Sequence, residues 1–495
     1  MTEKSKDFNY YLQTFEEVGY VEELLGSIVY VNGLPGVSQN EMVIFEDNTL
    51  GQVIGLDQEK IEVLLFSRAN FTVGTEVART DQGFKVPLSD SVLGKVLNPL
   101  GEVISSLSTE KQNDSPKITF MDVDSAPIDI MKRKSITKPL ETGVMIVDLV
   151  IPIAKGQREL VIGDRNIGKT SFLKQTLVNQ ASQGTTCIYV AVGKKKAALQ
   201  RSTEYYKKCG YAGNIIIVAA DAAMPSGLNF IAPYTAMSVA EYFRNQGKDV
   251  LVVIDDLTSH ARYYREISLL ARRFPGRNSY PGDIFFIHSR LLERAGSFSK
   301  GTITCLPTAE TIMGDLAGYI QTNLMAMTDG HIFFDKDMFD QGKFPAVNQF
   351  LSVTRVGLQA QPDLMRDISR ILSNFLVRLA QIRQFMHFGS ELGEEVKKML
   401  SLGVRLDEFL KQKPEHNMPV NLSAFLLGVL WGGFWVNDRP KKLKADMLLM
   451  RQDYLKNAAY KQNIDKTVGS VRKLKELVDK IRLNDQLVHR AKEQK

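Results

Sequence analysis

Cysteine is scarce in this sequence, and long apolar runs are absent. The chain of 495 residues has three widely separated cysteines, Cys187, Cys209 and Cys305. This spacing argues against a disulfide framework or a cysteine metal cluster, and we expect reduced core residues. No run of about 18 apolar residues occurs, so no membrane span is predicted. The polar first segment argues against a signal peptide and favours the cytoplasm.

Charge of either sign is moderate overall but uneven along the chain. The net charge is +6, although residues 436–495 alone hold 16 Lys/Arg and 8 Asp/Glu, a net +8. The rest of the chain is therefore close to neutral, at −2. If the protein binds nucleic acid, this tail is the part of the chain whose positive charge would favour it.

The distribution of apolar residues predicts five segments. We predict an N-terminal extension at 1–25 and a β-barrel at 26–92, because short strands there are split by Gly, Asn and Asp. A phosphate-loop nucleotide-binding α/β domain follows at 93–362. A helical domain at 363–435 and a basic helical extension at 436–495 complete the chain.

Apolar strands alternate with amphipathic helices inside the predicted α/β domain. The predicted strands are ELVIG, TTCIYVAVG, NIIIVAA, DVLVVIDD, DIFFIHS and GTITCLPT. One of the helices between them runs from Lys169 to Gln183. Continuous Val/Ile-rich strands indicate a mostly parallel, recombinase-like sheet covered on both faces. Residues 91–145, ahead of these strands, are expected to be connection and surface loop.

One helical stretch of the tail, VGSVRKLKELVDKIRLNDQLVHR, carries an apolar stripe. Its members are Val471, Leu474, Val478, Ile481 and Val488. The stripe fits a solvated helix docked on its own domain or a helical arm that binds another subunit. A two-chain coiled coil is less favoured, because the stripe is short.

The stretch VIGDRNIGKTSF, residues 161–172, has the spacing of a phosphate-binding loop. It follows the strand ELVIG and opens an apolar-faced helix, which is the context that the motif requires. Backbone amides and the helix N-terminus would hold the phosphates of ATP or ADP. Lys169 would reach the terminal phosphates, and the Thr170 hydroxyl would ligate Mg²⁺. The predicted contacts are Asp164, Arg165, Asn166, Ile167, Gly168, Lys169, Thr170 and Ser171.

A nucleotide site of this type also needs an acid at the end of a buried strand, where it supports the Mg²⁺ shell. DVLVVIDDLTSH supplies Asp255, with Asp256 beside it. The alternative interpretation is that the paired aspartates merely cap the strand end. We predict that Asp255 supports the metal.

Hydrolysis requires a further group that orients and polarises the attacking water. In recombinase-like cores this group is commonly a carboxylate just after the strand beside the phosphate-loop strand. That strand is TTCIYVAVG, and it is followed by Lys194, Lys195 and Lys196. A charged lysine cannot accept a proton from water. The cluster fits either a group that neutralises phosphate or an exposed basic turn.

Several stretches together resemble the alpha subunit of F-type rotary ATPases. The resemblance is carried by GDRNIGKTS, IDDLTSHARYYREISLLARRFPGRNSYPGDIFFIHSRLLERA, TDGHIFF, LSVTRVG and GVRLDEFLKQ. The Asp164-Arg165 pair follows the alpha form of the loop, where the catalytic beta subunit has a smaller, glycine-rich sequence. The resemblance implies a hexamer of alternating alpha and beta subunits around a gamma-like rotating stalk, with catalysis mostly on beta.

The same resemblance assigns roles to two basic residues. Alpha sites bind Mg-ATP but turn it over poorly or not at all, and the position of Lys194 holds glutamate in beta and usually glutamine in alpha. An arginine in the SVTRVG-like stretch reaches into the neighbouring beta site, and here it is Arg355. The sequence alone favours Arg355 as an ion-pair partner, whereas the resemblance favours an arginine finger that stabilises phosphoryl charge.

Positions near the expected adenine pocket depart from the family pattern. Phe344 replaces an arginine in GKFPA, and Gln321 replaces a proline in YIQTN. Of two expected glutamines, Gln412 is present and the second position holds Pro414. We predict that Gln412 contacts the nucleotide, and we expect altered affinity and base preference.

The tail beyond about Val436 matches no part of an ordinary alpha subunit. This divergence is similar to that of the F-type-like ATPases of mycoplasmas, which are linked to membrane-associated machineries and gliding. The leading hypothesis is therefore a non-catalytic subunit of an ATP-hydrolysing motor, peripheral at the cytoplasmic face of the membrane through its complex. An alpha subunit in proton-coupled ATP synthesis is the alternative, and the tail is a candidate for binding a further partner.

Two other classes of function remain open from the residues. A hexameric RNA translocase shares a barrel and core of this kind, but single-strand binding needs a basic groove with stacking aromatics. The barrel offers Phe45, Phe66 and Phe71 with little clustered positive charge, so no nucleic acid is expected. A structural adaptor would keep its nucleotide as a folding ligand and work through the basic tail.

Overall fold

The computed structural model describes residues 7–57, 60–108, 118–386 and 393–491. The chain forms two compact units, each assembled from segments that are distant in sequence. The first unit comprises Met1–Lys134, Gly184–Glu310 and Leu316–Met327. The second comprises Ser135–Gln183, Thr311–Asp315 and Thr328–Lys495.

Strands and helices of the described residues follow the predicted succession of barrel, α/β core and helical domain. The strands are β1 (Gly19–Leu25), β2 (Ile28–Asn32), β3 (Glu41–Phe45), β4 (Leu50–Leu56), β5 (Ile61–Leu65), β6 (Glu76–Gly83), β7 (Lys85–Leu88), β8 (Lys95–Leu97), β9 (Val103–Ser106), β10 (Thr119–Asp122), β11 (Pro139–Leu140), β12 (Ile153–Ala154), β13 (Glu159–Gly163), β14 (Thr186–Lys194), β15 (Ile215–Asp221), β16 (Asp249–Asp255), β17 (Gly296–Phe298), β18 (Gly301–Glu310), β19 (Gly330–Phe334) and β20 (Val353–Thr354). The helices are α1 (Phe8–Phe15), α2 (Met145–Val150), α3 (Lys169–Ser182), α4 (Lys196–Lys208), α5 (Ser226–Asn245), α6 (Leu257–Leu270), α7 (Ile284–Leu292), α8 (Tyr319–Met327), α9 (Lys336–Asp340), α10 (Asp363–Met386), α11 (Glu394–Leu410), α12 (Val420–Trp431), α13 (Pro440–Lys456), α14 (Ala458–Gly469) and α15 (Leu474–Leu483).

A closed six-stranded barrel opens the first unit, in the order β1-β2-β5-β4-β3-β6. Its core is built from small branched side chains such as Val29, Val43 and Val63, all fully buried. The predicted barrel is confirmed, and its first strand begins at Gly19, upstream of residue 26. The acidic pair Glu22-Glu23 obscures this strand in the sequence, although both side chains are paired with basic residues of the same unit.

The first unit also contains a largely parallel sheet in the order β18-β16-β14-β15-β8-β9. Strands β18, β16, β14, β15 and β8 pair in parallel, whereas β9 pairs antiparallel with β8 at one end and the short β17 pairs antiparallel with β18. Helices α4, α5 and α6 pack on these strands. The four predicted strands that lie here are confirmed, and Cys187 and Cys305 are buried within them, as expected of core residues.

Two sequence interpretations in this unit are wrong. DIFFIHS, predicted as a strand, belongs to the helix α7. Its buried residues Ile284, His288 and Leu291 follow the helical period, whereas the adjacent Phe285 and Phe286 are exposed. A short apolar run does not distinguish a strand from a helix. The region predicted as connection also contributes strands, since β8 pairs with β15 and β10 with β7, while residues 109–117 lie outside the described residues.

The second unit contains β13, β19 and β20, the helix α3 and the helices α10–α15. Strand β13 pairs in parallel with β19, which pairs antiparallel with β20. The predicted helix after Asp363 is confirmed as α10, and its buried residues recur at three- and four-residue spacing, as at Leu364, Ile368, Leu372 and Leu379. This period places one face of α10 in the core.

The apolar stripe of the tail packs within the second unit. Leu474, Leu477 and Ile481 are buried on α15, and Ile481 and Leu477 lie against Gly428 of α12 so closely that an added Cβ there would be 2.6 Å from Ile481. Of the interpretations offered by the sequence, a helix docked on its own domain is the one observed. Val488 follows the end of α15 and is only half-buried, so it is not part of the helical stripe.

No helix in the described ranges is both long and apolar enough to cross a bilayer.

A buried histidine pair lies in the first unit. His260 Nε2 is 2.9 Å from the Phe230 carbonyl oxygen, and His260 Nδ1 is 3.1 Å from His288 Nε2. Since a carbonyl only accepts, Nε2 of His260 carries its proton and Nδ1 accepts from His288. Burial lowers the pKa of His260 to about 4. The pair is therefore neutral in the folded chain.

We expect this histidine to destabilise the chain in acid. The unfolded imidazole binds a proton below about pH 6.5 while the folded one stays neutral, so stability present above that pH is lost as the pH falls toward 4. Between pH 7 and 4.5 the wild type should lose about 2–3 kcal/mol more free energy of unfolding than His260→Gln, as measured by urea unfolding. Parallel pH profiles of the two proteins would contradict this assignment.

Candidate functional site

The predicted site residues fall in both units. The phosphate loop, Gln412 and Arg355 belong to the second unit, whereas Lys194 and Asp255 belong to the first.

A sharp turn joins β13 to α3 in the second unit. Strand β13 is buried throughout, and α3 begins at Lys169 directly after the loop. Gly163 leaves no room for a side chain, because an added Cβ would lie 2.4 Å from the Phe334 carbonyl oxygen. Gly168 has a φ of 103°, a left-handed conformation that favours glycine. The two glycines therefore produce the turn that a phosphate loop requires.

The side chain of Lys169 folds back over the loop. Its ammonium donates hydrogen bonds to the carbonyl oxygens of Gly163 and Asp164. These contacts hold a positive charge at the N-terminus of α3, where the helix dipole also favours an anion. The loop is thus equipped to hold phosphate.

The other predicted loop contacts differ in exposure. Arg165, Asn166 and Ser171 are exposed, and Thr170 is partly buried in the first turn of α3. The side chain of Ile167 is buried with only 4% exposure, so it packs against protein and offers a ligand nothing but its backbone.

Asp164 anchors the loop. Its Oδ1 accepts hydrogen bonds from the Thr311 hydroxyl and, at 2.9 Å, from the Gly314 amide. Burial alone would raise the pKa of this carboxyl, but these two donors and the charge of Lys169 outweigh burial and lower it. Both donors come from a turn far away along the chain, so no local sequence pattern indicates them.

Gln412 is placed differently from its predicted role. Its Oε1 accepts from the Met145 amide at 2.9 Å, and its Nε2 donates to the carbonyl oxygens of Gly143 and His416, each at 2.6 Å. The residue is buried, with 8% exposure. Both ends of the amide are therefore engaged by backbone, and Gln412 ties α11 to the segment before α2.

Phe344, in the GKFPA stretch, is half-exposed beside this contact. Its carbonyl oxygen accepts from the backbone N–H of Gln412 at 2.7 Å, and its ring lies edge-on to the ring of Phe339. Phe344 and Pro345 line a cavity of about 270 Å³, together with apolar side chains such as Leu376 and Leu410. An aromatic side chain therefore forms part of the wall of this cavity.

Arg355 follows β20 on a backbone that is fixed from several sides. Its amide donates to the Asp329 carbonyl oxygen at 3.2 Å, and the Thr354 hydroxyl donates to the Pro152 carbonyl oxygen at 2.9 Å. The Arg355 side chain is exposed, and its guanidinium makes no hydrogen bond or ion pair with any residue that the structure describes. Its charge acts on the buried Glu159 carboxyl of the same unit, whose pKa burial raises and Arg355 lowers.

In the first unit, Lys194 joins the two predicted acidic residues. It ends β14, and Asp255 ends the neighbouring strand β16, paired in register with Ala191. The Lys194 Nζ lies 2.7 Å from Asp255 Oδ1 and 3.3 Å from Asp256 Oδ2. Asp255 and Asp256 are nearly inaccessible, at 4% and 2% exposure. The lysine is therefore the counter-ion of a buried carboxylate pair.

The electrostatics of this cluster keep Lys194 charged. Burial alone would lower the pKa of its ammonium, but Asp255 and Asp256 outweigh burial and raise that pKa well above its usual range. A protonated ammonium cannot accept a proton from water. Lys195 and Lys196 are exposed, so the exposed-turn interpretation describes them but not Lys194.

The remaining hydrogen bonds of the two aspartates come from neighbouring side chains. Asp255 Oδ2 accepts from the Tyr189 hydroxyl at 2.9 Å, and its Oδ1 is 3.3 Å from the Thr308 hydroxyl. Asp256 Oδ1 accepts from the Ser259 amide at 2.6 Å and caps α6. The capping role that the sequence offered as an alternative therefore belongs to Asp256.

Sequence comparison places these elements in a known family. Residues 143–354 match the nucleotide-binding domain of the ATP synthase alpha/beta family, and residues 361–483 match the C-terminal domain of the ATP synthase alpha/beta chain. The chain is 40% identical over 432 residues to ATP synthase subunit alpha of Staphylococcus aureus, covering 86% of this chain and 84% of the relative. The same subunit of Clostridium acetobutylicum is 40% identical over 432 residues (86% and 85%), and that of Petrotoga mobilis 36% over 476 residues (94% and 92%). The chain belongs to the F-type ATPase alpha-subunit family.

The family assignment corrects the interpretation of the tail. The alpha/beta C-terminal domain extends to residue 483, so the expectation that the chain beyond Val436 has no counterpart in the family is wrong. Packing agrees with this match, because the buried carboxylate of Asp446 accepts from Trp435 Nε1 at 2.9 Å, from Arg490 and from the Ala491 amide. The extension is thus continuous with the helical domain of this alpha-type chain.

Gly357 provides a test of the backbone that carries Arg355. A Cβ at this position would lie 1.7 Å from the Pro152 carbonyl oxygen. We expect Gly357→Ala to lower the free energy of unfolding by about 1–3 kcal/mol, because the segment must shift. Gly469→Ala is the control, since a Cβ at Gly469 meets nothing within 4 Å and should change stability by less than about 0.5 kcal/mol. Equal urea-unfolding free energies for both variants would show that the segment adapts.

Proposed function

We propose that this chain is a non-catalytic nucleotide-binding subunit of a hexameric F-type-like ATPase. It alternates with beta-type subunits around a gamma-like stalk and supplies Arg355 to their catalytic sites. The observation that carries the proposal is Lys194, a charged ion-pair partner of Asp255 at the position where the family resemblance expects a water-activating group. Its chemistry supports binding without hydrolysis at this chain's own site.

The phosphate loop supports nucleotide binding by this chain. Gly163 and Gly168 shape the turn, and Lys169 presents a cation at the start of α3. We propose that ATP or ADP is held through Asp164 to Ser171, chiefly by backbone amides and Lys169, with Asp164 acting by anchoring the loop. Because Gln412 is committed to backbone groups, we assign it a positioning role rather than recognition of the base.

Arg355 supports a role in trans. A planar guanidinium suits the charge that spreads over phosphoryl oxygens in the transition state. The Arg355 side chain is exposed and makes no hydrogen bond or ion pair with a described residue, although its charge acts on the buried Glu159 carboxyl.

Two opposing observations bear on whether the complex hydrolyses or synthesises ATP. Departures at Lys194, Phe344, Pro414 and Gln321 favour a specialised ATP-hydrolysing motor at the cytoplasmic face of a membrane or motility machinery. The alternative, an alpha subunit in proton-coupled ATP synthesis, is favoured by relatives named ATP synthase subunit alpha at 40% identity. The subunits that co-purify with the chain decide between them.

An RNA translocase is disfavoured by the barrel itself. Phe45 and Phe66 are buried, and Phe71 stacks on Phe45 with ring centroids 4.4 Å apart. Aromatic side chains that pack against each other in a core do not present faces to unstacked bases.

The purified full-length chain should bind ATP and hydrolyse almost none. Binding measured by isothermal titration calorimetry should be lost in Lys169→Ala, because that side chain supplies the charge at the phosphate loop. Turnover should stay near the background of this variant in a phosphate-release assay. Brisk hydrolysis by the wild-type chain alone, absent from Lys169→Ala, would contradict the non-catalytic role.

In the assembled complex, Arg355→Ala should lower the ATPase kcat by about 10³- to 10⁵-fold. Arg355→Lys should recover only a small part, because a point charge does not reproduce the planar guanidinium. Arg378→Ala is the control, since Arg378 is another exposed arginine of the second unit with no hydrogen bond or ion pair to a described residue. Loss of activity in the control alone, or in neither variant, would reject the arginine finger.

A further inference from the structure

An arginine–aspartate pair of the second unit lies beside the segment that carries Arg355. Arg158 directly precedes β13, and Asp329 directly precedes the neighbouring strand β19. The Arg158 Nη2 donates to Asp329 Oδ1 at 2.8 Å, and the Arg158 Nε donates to Oδ2 at 3.2 Å. Both side chains are about one fifth exposed. The guanidinium therefore binds the carboxylate through two hydrogen bonds, which fixes the geometry of the pair as well as its charge.

Backbone hydrogen bonds extend this contact to Arg355. The Arg158 amide donates to Asp329 Oδ2 at 2.9 Å, and the Asp329 amide donates to the Arg158 carbonyl oxygen at 2.8 Å. The Asp329 carbonyl oxygen in turn accepts from the Arg355 amide at 3.2 Å. Asp329 is thus held by Arg158 on one side and holds the backbone of Arg355 on the other.

A buried polar network fixes the residues on either side of Arg158. Glu159 is inaccessible to solvent, and its Oε2 accepts from Gln157 Nε2 at 2.6 Å. The same Gln157 nitrogen donates to the Thr354 hydroxyl at 3.4 Å. The segment that enters β13 therefore contacts both Asp329 and the residue immediately before Arg355.

The Glu159 carboxyl does not itself hold the Arg355 guanidinium. Burial raises the pKa of this carboxyl well above its ordinary value, the Gln157 hydrogen bond lowers it, Asp329 raises it and the charge of Arg355 lowers it. Its Oε1 has no hydrogen-bond partner among the described residues, so no hydrogen bond joins that oxygen to Arg355. The origin of the Arg355 side chain therefore depends on its backbone, which the contact with Asp329 fixes.

We infer that Arg158 is a positioning residue for Arg355, acting through Asp329. The inference rests on the proposed role of Arg355 as an arginine finger. A guanidinium that has to meet phosphoryl oxygens in a neighbouring site needs a fixed origin, because a misplacement of about 1 Å can cost about a hundredfold in rate. Arg158 contacts the support of the finger and no reacting atom.

The test measures the kcat and the KM for ATP of the assembled complex. Arg158→Ala should lower the ATPase kcat by about tenfold to a hundredfold and leave KM within about twofold, because the finger is displaced while ATP binding by the partner is intact. Arg158→Lys should recover only part of the kcat, because lysine offers no planar fork to Asp329. The control is Arg383→Ala, which removes another arginine–aspartate pair of the second unit, with Asp407 at 2.6 Å, and should leave kcat within about twofold.

A double variant separates positioning from a general structural effect. In the Arg355→Ala background, Arg158→Ala should change kcat by less than about twofold, because no finger remains to be misplaced. A variant that merely destabilises the complex would lower kcat by the same factor in both backgrounds, and that result would overturn the inference. Arg158→Lys keeps the charge and gives the same comparison if Arg158→Ala fails to assemble.

The outcomes also distinguish this inference from the proposed function. If Arg355→Ala lowers kcat as expected while Arg158→Ala and Arg158→Lys match the wild type, the positioning role is rejected and the arginine finger stands. If Arg355→Ala itself leaves kcat unchanged, the arginine finger is rejected and the positioning role is rejected with it.

Discussion

The ion pair of Lys194 with Asp255 and Asp256 is the interaction on which the chemistry of the first unit depends. Two nearly inaccessible carboxylates at the end of a buried strand stay charged only when they are compensated. One ammonium faces both carboxylates, and Tyr189 and Ser259 donate further hydrogen bonds to them, while burial raises the pKa of Asp256. A glutamate at position 194 would add a third carboxylate and would need a cation from outside. The residue that compensates this buried pair is therefore a charged group, which cannot accept a proton from water.

The two functional cations of the chain are used in opposite ways. Lys194 is committed to internal carboxylates, whereas Arg355 has a fixed backbone and no hydrogen-bonded partner among the described residues. The ion pair with Asp255 makes the Lys194 ammonium less available to other molecules. The Arg355 guanidinium keeps its hydrogen-bond donors for another molecule. Its charge nevertheless acts on the buried Glu159 carboxyl, whose pKa burial raises and Arg355 lowers. The proposed function uses this contrast, because it assigns the internal pair to the chain itself and the exposed arginine to a neighbour.

Sequence patterns predicted the parts of the fold that depend on local periodicity. The phosphate loop lies between its strand and helix because Gly163 and Gly168 encode the turn, and α10 follows its three- and four-residue spacing. DIFFIHS was misassigned because two exposed phenylalanines filled the gaps of a helical pattern. The contacts of Gln412 and the Lys194–Asp255 pair could not be derived in this way, because they depend on strand register and on distant backbone groups. The sequence nevertheless indicated that Lys194 and Asp255 lie close together, since each lies at the end of a predicted strand and parallel strands such as β14 and β16 end at the same edge of a sheet.

The basic tail shows why net charge alone does not identify a partner. Lys444 donates to the carbonyl oxygens of Glu408, Phe409 and Lys411 at the C-terminus of α11, where unsatisfied carbonyls and the helix dipole favour a cation. Burial lowers the pKa of this ammonium to about 8, so it is a packed group and not a solvated one. Arg451 likewise donates to the Asn417 carbonyl oxygen at 2.7 Å. Because such side chains complete the helical domain, an anionic lipid or nucleic acid would meet fewer available charges than the composition implies.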